Sequence, residues 1–318
     1  MQPPEVWSTN PFVLRYLLLA VATVTLSGAS CGKKSSAREG EDDAKELAAA
    51  LDRATQEQEA KGPRPPVDGV DLKNLDDGQK ARFDKLIDSL VSPCGKAESL
   101  RKSATVTRNC KRSLHAARYV ATMIEMGAED SDVRKFYGAR YVDRENNQFK
   151  VGPDVPHAGP TDAPVVLVEF YDYGCKVCLD TYPMIEALLA AHPQDLVVYY
   201  KQNPIVDKHP DSGNAAQAAV AAHKQGKFKE MHEALFKGFG SHSRGDVFGY
   251  ARELGLDMAR FEKDFEAAAA QVKADDAEGN TVKVMGTPTL FINGQRYEDP
   301  LEDEFFESWV QEELAVNR

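Results

Sequence analysis

The hydrophobic positions change period near residue 150. Before it, apolar residues recur at helical spacing. Phe83, Leu86, Ile87, Leu90 and Val91 fall at i, i+3, i+4, i+7 and i+8, which predicts one apolar helix face. Pro93 follows at once and should end that helix. A second helix is predicted from about Lys111 to Met126, with Leu114, Ala117, Val120, Met123 and Ile124 inward and Gly127 as its stop. A third begins after Asp130 or Ser131, either a good cap, and buries Val133, Phe136, Tyr137 and Tyr141. Residues 67–150 are thus expected to form a small all-α domain, whose three short helices give a marginal core.

Residues 151–318 carry a different pattern. Pro153, Pro156, Gly159, Pro160 and Pro164 open the region. Ala163 to Tyr171 is a Val-rich run of the kind found in a buried strand, and a helix follows through Met184, Ile185, Leu188 and Leu189. Leu196 to Tyr200 is a second strand. Strand, helix, strand predicts a parallel pair. From Asp211 to about Glu278 every segment has a helical pattern. Thr289 to Asn293 is a third strand, Gly294 suits a hairpin turn into Arg296 and Tyr297, and Glu302 to Leu314 closes with a helix.

The N-terminus belongs to neither region. Tyr16 to Leu26 is an uninterrupted apolar run preceded by Arg15 and followed by Ser27, Gly28, Ala29, Ser30 and Cys31. It is too short to span a membrane as a helix and has the pattern of a secretory signal, which assigns residues 1–30 to a signal peptide. Small residues ending in Cys resemble the lipobox of bacterial lipoproteins, with Gly28 a departure from it. That resemblance implies cleavage before Cys31 and a lipid on its thiol, hence a membrane anchor in the cell envelope. The other reading is an ordinary cleaved signal with an incidental cysteine. Residues 31–66 are rich in Ala, Glu, Lys and Gln and end in Gly62-Pro63-Arg64-Pro65-Pro66. They read as a flexible tether with too few large apolar groups for a core.

Charge and cysteine content narrow the chemistry. The net charge is −11, which repels phosphate backbones and argues against nucleic acid as a partner. The cysteines are Cys31, Cys94, Cys110, Cys175 and Cys178. If Cys31 has another role, two pairs remain. Exported chains permit disulfides. A Cys94–Cys110 disulfide would close a loop of 16 residues' separation, contributing roughly 3 kcal/mol. The alternative is a second redox pair that exchanges electrons with Cys175 and Cys178.

Cys175-Lys176-Val177-Cys178 lies where the first strand gives way to a helix. A cysteine at a helix start meets unpaired N–H groups that favour a thiolate, and Lys176 adds a nearby cation. Cys178, one turn on, is expected to be less exposed and to act as the resolving thiol. Glu169, six residues before Cys175 on the strand, could accept the proton of Cys178 if it points inward, or face solvent at the strand end. Gly286-Thr287-Pro288-Thr289 stands just before the third strand, where a Pro suits a cis bond in a tight turn. Zinc usually needs four ligands, and no second Cys or His pair stands at matching spacing, so no metal is expected. His209, His223 and His232 in the helical block read as packing or surface residues, and the aromatics around 170–173 as core.

The segments EFYDYGCKVC, HPDSGNAAQAAVAAHKQGKFKEMHEALF and VMGTPTLFINGQ together resemble the DsbA-like branch of the thioredoxin superfamily. That resemblance covers residues 153–318. It implies an α/β thioredoxin fold with an inserted helical block, preceded here by the small all-α domain. It makes Cys175 the attacking cysteine, Cys178 the resolving one, Glu169 the buried acid and Pro288 the cis-proline. Thr287 would offer backbone hydrogen bonds to a bound peptide. The dipeptide Lys176-Val177 differs from the Pro-His of DsbA itself, which leaves the strength of the oxidant open. A shorter resemblance, from Cys110 through GAEDSDVRKFYGARYVD, is to the helical domain of CcmH, a thiol protein of cytochrome c maturation; its Cys-x-x-Cys pair is missing here.

The function implied is extracytoplasmic thiol–disulfide exchange with cysteine-containing exported proteins. It requires no cofactor beyond the Cys175–Cys178 disulfide, and an unidentified redox partner resets that pair. The alternatives are a dedicated thiol reductant in cytochrome c maturation and a non-catalytic peptide-binding or chaperone module.

Overall fold

A computed structural model of the chain describes residues 64–317. The signal, the lipidation site at Cys31 and nearly all of the tether lie outside the described residues. Helix α1 runs Asp77–Ser89, capped by Asp76, whose side chain accepts from the Gln79 N–H while Gln79 reaches back to the Asp76 N–H. It buries Phe83, Leu86 and Ile87 as the spacing predicts, but ends before Val91, which turns into a β-bridge with Ser99. The segment between the first two predicted helices contains a helical turn, α2 (Leu100–Lys102), and a π-helical turn, Ser103–Thr107. Cys94 and Cys110 are joined in a disulfide across it.

Helix α3 spans Arg112–Glu125 and stops at Gly127, whose φ of +82° suits glycine. Helix α4 spans Asp130–Tyr137 and starts one residue earlier than expected. Glu129 is its cap residue and makes no side-chain cap bond, so Asp130 and Ser131 sit in the first turn instead.

The second region is built on a five-stranded sheet of order β1-β3-β2-β4-β5. Its strands are β1 (His157–Ala158), β2 (Val165–Tyr171), β3 (Leu196–Gln202), β4 (Thr289–Ile292) and β5 (Gln295–Arg296). The β2–β3 pair is parallel, as the strand–helix–strand pattern requires, and the other pairs are antiparallel. The short edge strand β1, within the Pro-rich segment, has no signal in the sequence. Helix α5 (Lys176–Ala191) connects β2 to β3. The helical block then supplies α6 (Ser212–His223), α7 (Phe228–Lys237), α8 (Arg244–Glu253) and α9 (Met258–Thr281). Helix α10 (Asp303–Asn317) closes the fold.

Both faces of β2 are covered, which explains its nearly unbroken apolar run. Val165, Leu167 and Tyr171 face one core with Leu196, Val198 and Tyr200 of β3. Val168 and Phe170 face the other with Val197 and Tyr199. The first core does not stop at residue 150. It runs on through Phe83, Leu86, Tyr119, Val120, Ile124 and Val133, so the small helices gain burial from the larger region. Arg140, 1% exposed, adds an ionic bridge to Asp299 and to Glu312 of α10.

Candidate active site

The site forms where the carboxyl end of β2 meets the start of α5. Cys175 is the N-cap of α5, with φ −84° and ψ 121° and no side-chain cap bond, so its sulfur is left free at the end of the helix dipole. Cys178 lies one turn into the helix and is fully buried, whereas Cys175 is 9% exposed; both thiols are free.

The two sulfurs are held in opposite states. The Cys175 thiol is lowered to about 5, chiefly by the hydrogen bond from the Cys178 thiol. Burial opposes this, and Thr287 and the backbone N–H groups of Cys178 and Val177 add to it. As a thiol, Cys175 donates to the Thr287 carbonyl at 3.2 Å. As a thiolate it needs donors, and the buried Thr287 hydroxyl, which has no other partner among the described residues, can turn to it. Cys178 is pushed far up, first by burial, then by its bond to Cys175 and the charges of Glu169 and Cys175.

Glu169 lies on the face of β2 shared by Leu167 and Tyr171, the face that carries the cysteine pair, and is 4% exposed. Burial, then the Cys175 charge, raises its carboxyl to about 8. The inward orientation, not the solvent-facing one, is therefore what the structure holds. A carboxyl of that pKa can carry a proton at neutral pH and exchange it with Cys178.

The peptide bond between Thr287 and Pro288 is cis, and this loop lies against Cys175. Thr287 spends its carbonyl on the Cys175 thiol. The Lys176 ammonium is ion-paired with Asp180 on the exposed side of α5, and the leading groups that lower Cys175 are those named above. Among the described residues, no group of three or more His, Cys, Asp or Glu is placed to hold a metal ion.

Two residues of the site escape the sequence reading. The Asp172 carboxylate, fully buried, accepts from Gly174 N–H at 2.7 Å, Ile205 N–H at 2.7 Å and His209 Nδ1 at 2.8 Å. It ties the turn before Cys175 to the loop after β3. The available signal was Asp-x-Gly at a strand end, which favours an Asx turn. His209 packs on Gly174 so closely that a Cβ there would meet its Cβ at 2.4 Å, which explains the glycine.

The lowered Cys175 thiol has a direct consequence. Its alkylation by iodoacetamide should rise with pH to a midpoint near 5, several units below an ordinary cysteine, while Cys178 stays unlabelled up to at least pH 9. Mass spectrometry of the two thiols reads this. A midpoint above 8 would mean the hydrogen bonds do not act on the thiolate. The sign for folding follows. A depressed acid stabilises the reduced fold above its unfolded value, and that contribution is lost as pH falls through about 5.

Part of the chain is similar to known proteins. The sodium/proton antiporter NhaA 1 of Salinispora arenicola is 36% identical over 171 residues, which cover 53% of this chain and 26% of the antiporter. The corresponding antiporter of Mycobacterium sp. (strain KMS) is 34% identical over 155 residues, covering 47% and 25%. The chain thus spans about a quarter of the length of these relatives, and among the described residues no helix is long and apolar enough to cross a membrane. Among solved structures, a thioredoxin-like oxidoreductase from Silicibacter pomeroyi is 30% identical, with a TM-score of 0.45 and coverage of 50% of this chain and 92% of that one. BdbD from Bacillus subtilis is 22% identical, with a TM-score of 0.48 and coverage of 54% and 98%. The model of the thioredoxin family matches residues 152–312, half of the chain, and the protein belongs to that family.

Proposed function

We propose that the protein is an extracytoplasmic, DsbA-like thiol–disulfide oxidoreductase that exchanges disulfides with cysteine-containing exported proteins. The observation that carries this reading is the pair of oppositely held thiols, Cys175 lowered to about 5 and Cys178 raised, over a buried Glu169. Cys175 forms the mixed disulfide and Cys178 resolves it, so the Cys175–Cys178 disulfide is the only redox group required. The apolar leader and the Cys94–Cys110 disulfide support export, and a lipid on Cys31 would tether the enzyme to a membrane. An exported redox partner resets the pair after each turnover.

A stabilised Cys175 thiolate favours the reduced form, which makes the disulfide a better donor. The test is equilibration of the full chain in glutathione buffers, reading the Cys175–Cys178 state by mass spectrometry. The expected potential is near or above about −180 mV, in the range of disulfide donors. A value near about −270 mV would reverse the direction and make the protein a reductant, as a cytochrome c maturation role requires. No exchange at all would overturn the enzyme reading in favour of a peptide-binding module.

A further inference from the structure

Beside the cysteine pair lies a cavity of about 180 Å³, lined by Gly174, His209, Asp211, Ser212, Phe239 and His242 among others. Gly174, the residue before Cys175, forms part of its wall. Of its two imidazoles, His242 is 3% exposed and has its Nε2 on the Leu235 carbonyl, so it faces the interior. The other, His209, is 27% exposed and rests on Gly174, the residue before the nucleophile. Its Nδ1 meets the fully buried Asp172 carboxylate, an acceptor, which in the neutral ring places the proton on Nδ1 and leaves Nε2 as a lone pair. Asp211 is occupied by the Asn214 amide, and the buried Ser212 hydroxyl has no partner among the described residues. A buried carboxylate orienting a half-exposed imidazole is the arrangement that activates a nucleophile.

We propose that His209, oriented by Asp172, is the general base for the substrate's thiol during attack on the Cys175–Cys178 disulfide. The assignment rests on the thiol-exchange reading above. The substrate S–H proton passes to His209 Nε2. The substrate sulfur bonds to Cys175 Sγ, the Cys175–Cys178 bond breaks, and its electron pair stays on Cys178 Sγ, which takes a proton from the Glu169 carboxyl. Once His209 has passed that proton to water, a second substrate thiol gives its own proton to Nε2, attacks the substrate sulfur of the mixed disulfide and expels Cys175 as its thiolate. The substrate loses two electrons and the enzyme gains them. His209 returns its proton to water, and in the reverse direction supplies one to the departing substrate sulfur.

The test compares the oxidised full-length protein with its His209→Gln variant at pH 7, by stopped flow, against two monothiols. One is 2-mercaptoethanol, almost wholly protonated at that pH; the other is an aromatic thiol already ionised. A general base matters only for the protonated thiol. The loss of rate in the variant is therefore expected to be about tenfold or more larger for 2-mercaptoethanol. An equal loss for both thiols overturns the proposal, because a merely structural role slows every substrate alike. If the parent protein reacts with neither thiol, the exchange reading fails and this assignment with it. Should His209→Gln not fold, as judged by its thermal transition, His209→Asn, which keeps a donor near the position of Nδ1, is read the same way.

Discussion

Replacement of Cys175 by serine is expected to reduce disulfide exchange to the uncatalysed rate. Only an ionised sulfur attacks or leaves at a disulfide, and a hydroxyl neither ionises near neutral pH nor forms the mixed disulfide. With its thiol at about 5, Cys175 is almost wholly thiolate at pH 7, whereas a free cysteine is ionised to a few per cent. Cys178→Ala should behave differently. Attack survives, but the mixed disulfide cannot be released, so covalent adducts with substrate proteins should accumulate and vanish on reduction. The asymmetry arises because burial raises Cys178, which must lose its proton before it can resolve, and the nearby Glu169, with its acid raised to about 8, can take that proton as the carboxylate. Non-reducing electrophoresis of both variants decides the matter. Exchange by Cys175→Ser at the parent rate, or adducts formed equally by both variants, would refute the assigned roles. Adducts restricted to partners with haem-attachment cysteines would narrow the substrate class instead.

The parts of this site that the sequence displays are those fixed by local chain geometry. Cys175 and Cys178 are one helical turn apart at a strand-to-helix junction, and the Val-rich β2 run places Glu169 two residues from Leu167 and Tyr171 on one face. The parallel β2–β3 pair follows from the helix between them, and the turn at Asn293 and Gly294 from residues that accept positive φ. Part of what was hidden depends on contacts across long separations. His209 is an unremarkable loop residue until Asp172, 37 positions earlier, is brought under it. Lys176 has an acid at i+4, Asp180, and that local pair wins over a contact with the sulfur. The helical turn at Leu100–Lys102 and the two-residue strand β1 are too short for any periodicity to show. The marginal core expected for residues 67–150 left out the packing of α10 against it, because an arginine next to an expected core Tyr141 gives no sign that Arg140 is itself interior.

That interior arginine sets the second large effect. Arg140→Ala is expected to destabilise the protein by about 3–5 kcal/mol, the usual cost of removing one partner from a buried ion pair. The Arg140 guanidinium meets Asp299 at 3.0 Å and Glu312 at 2.9 Å, each side chain 1% exposed. It lies 4.4 Å from the Trp309 ring, 4.8 Å from Tyr119 and 5.2 Å from Tyr141. The Tyr119 hydroxyl and the Trp309 indole N–H donate to Asp299, and the Tyr141 hydroxyl donates to Glu312 at 2.8 Å. These donors satisfy the carboxylate oxygens only partly. Without the guanidinium, Asp299 loses its cation, and Glu312 keeps Arg112 on its other oxygen at 2.6 Å. Asp299 is therefore the group that should suffer most. Combining Arg140→Met with Asp299→Asn should accordingly recover a large part of the loss, since it removes the charge together with its partner. Thermal and urea unfolding of the three proteins measures both effects. If the single variant loses less than about 1 kcal/mol, the cluster is solvated and the helical segment is held by its apolar core alone. If the double variant is no more stable than the single one, the stacking of Arg140 on three aromatic rings, and not its charge, is what joins residues 67–150 to α10.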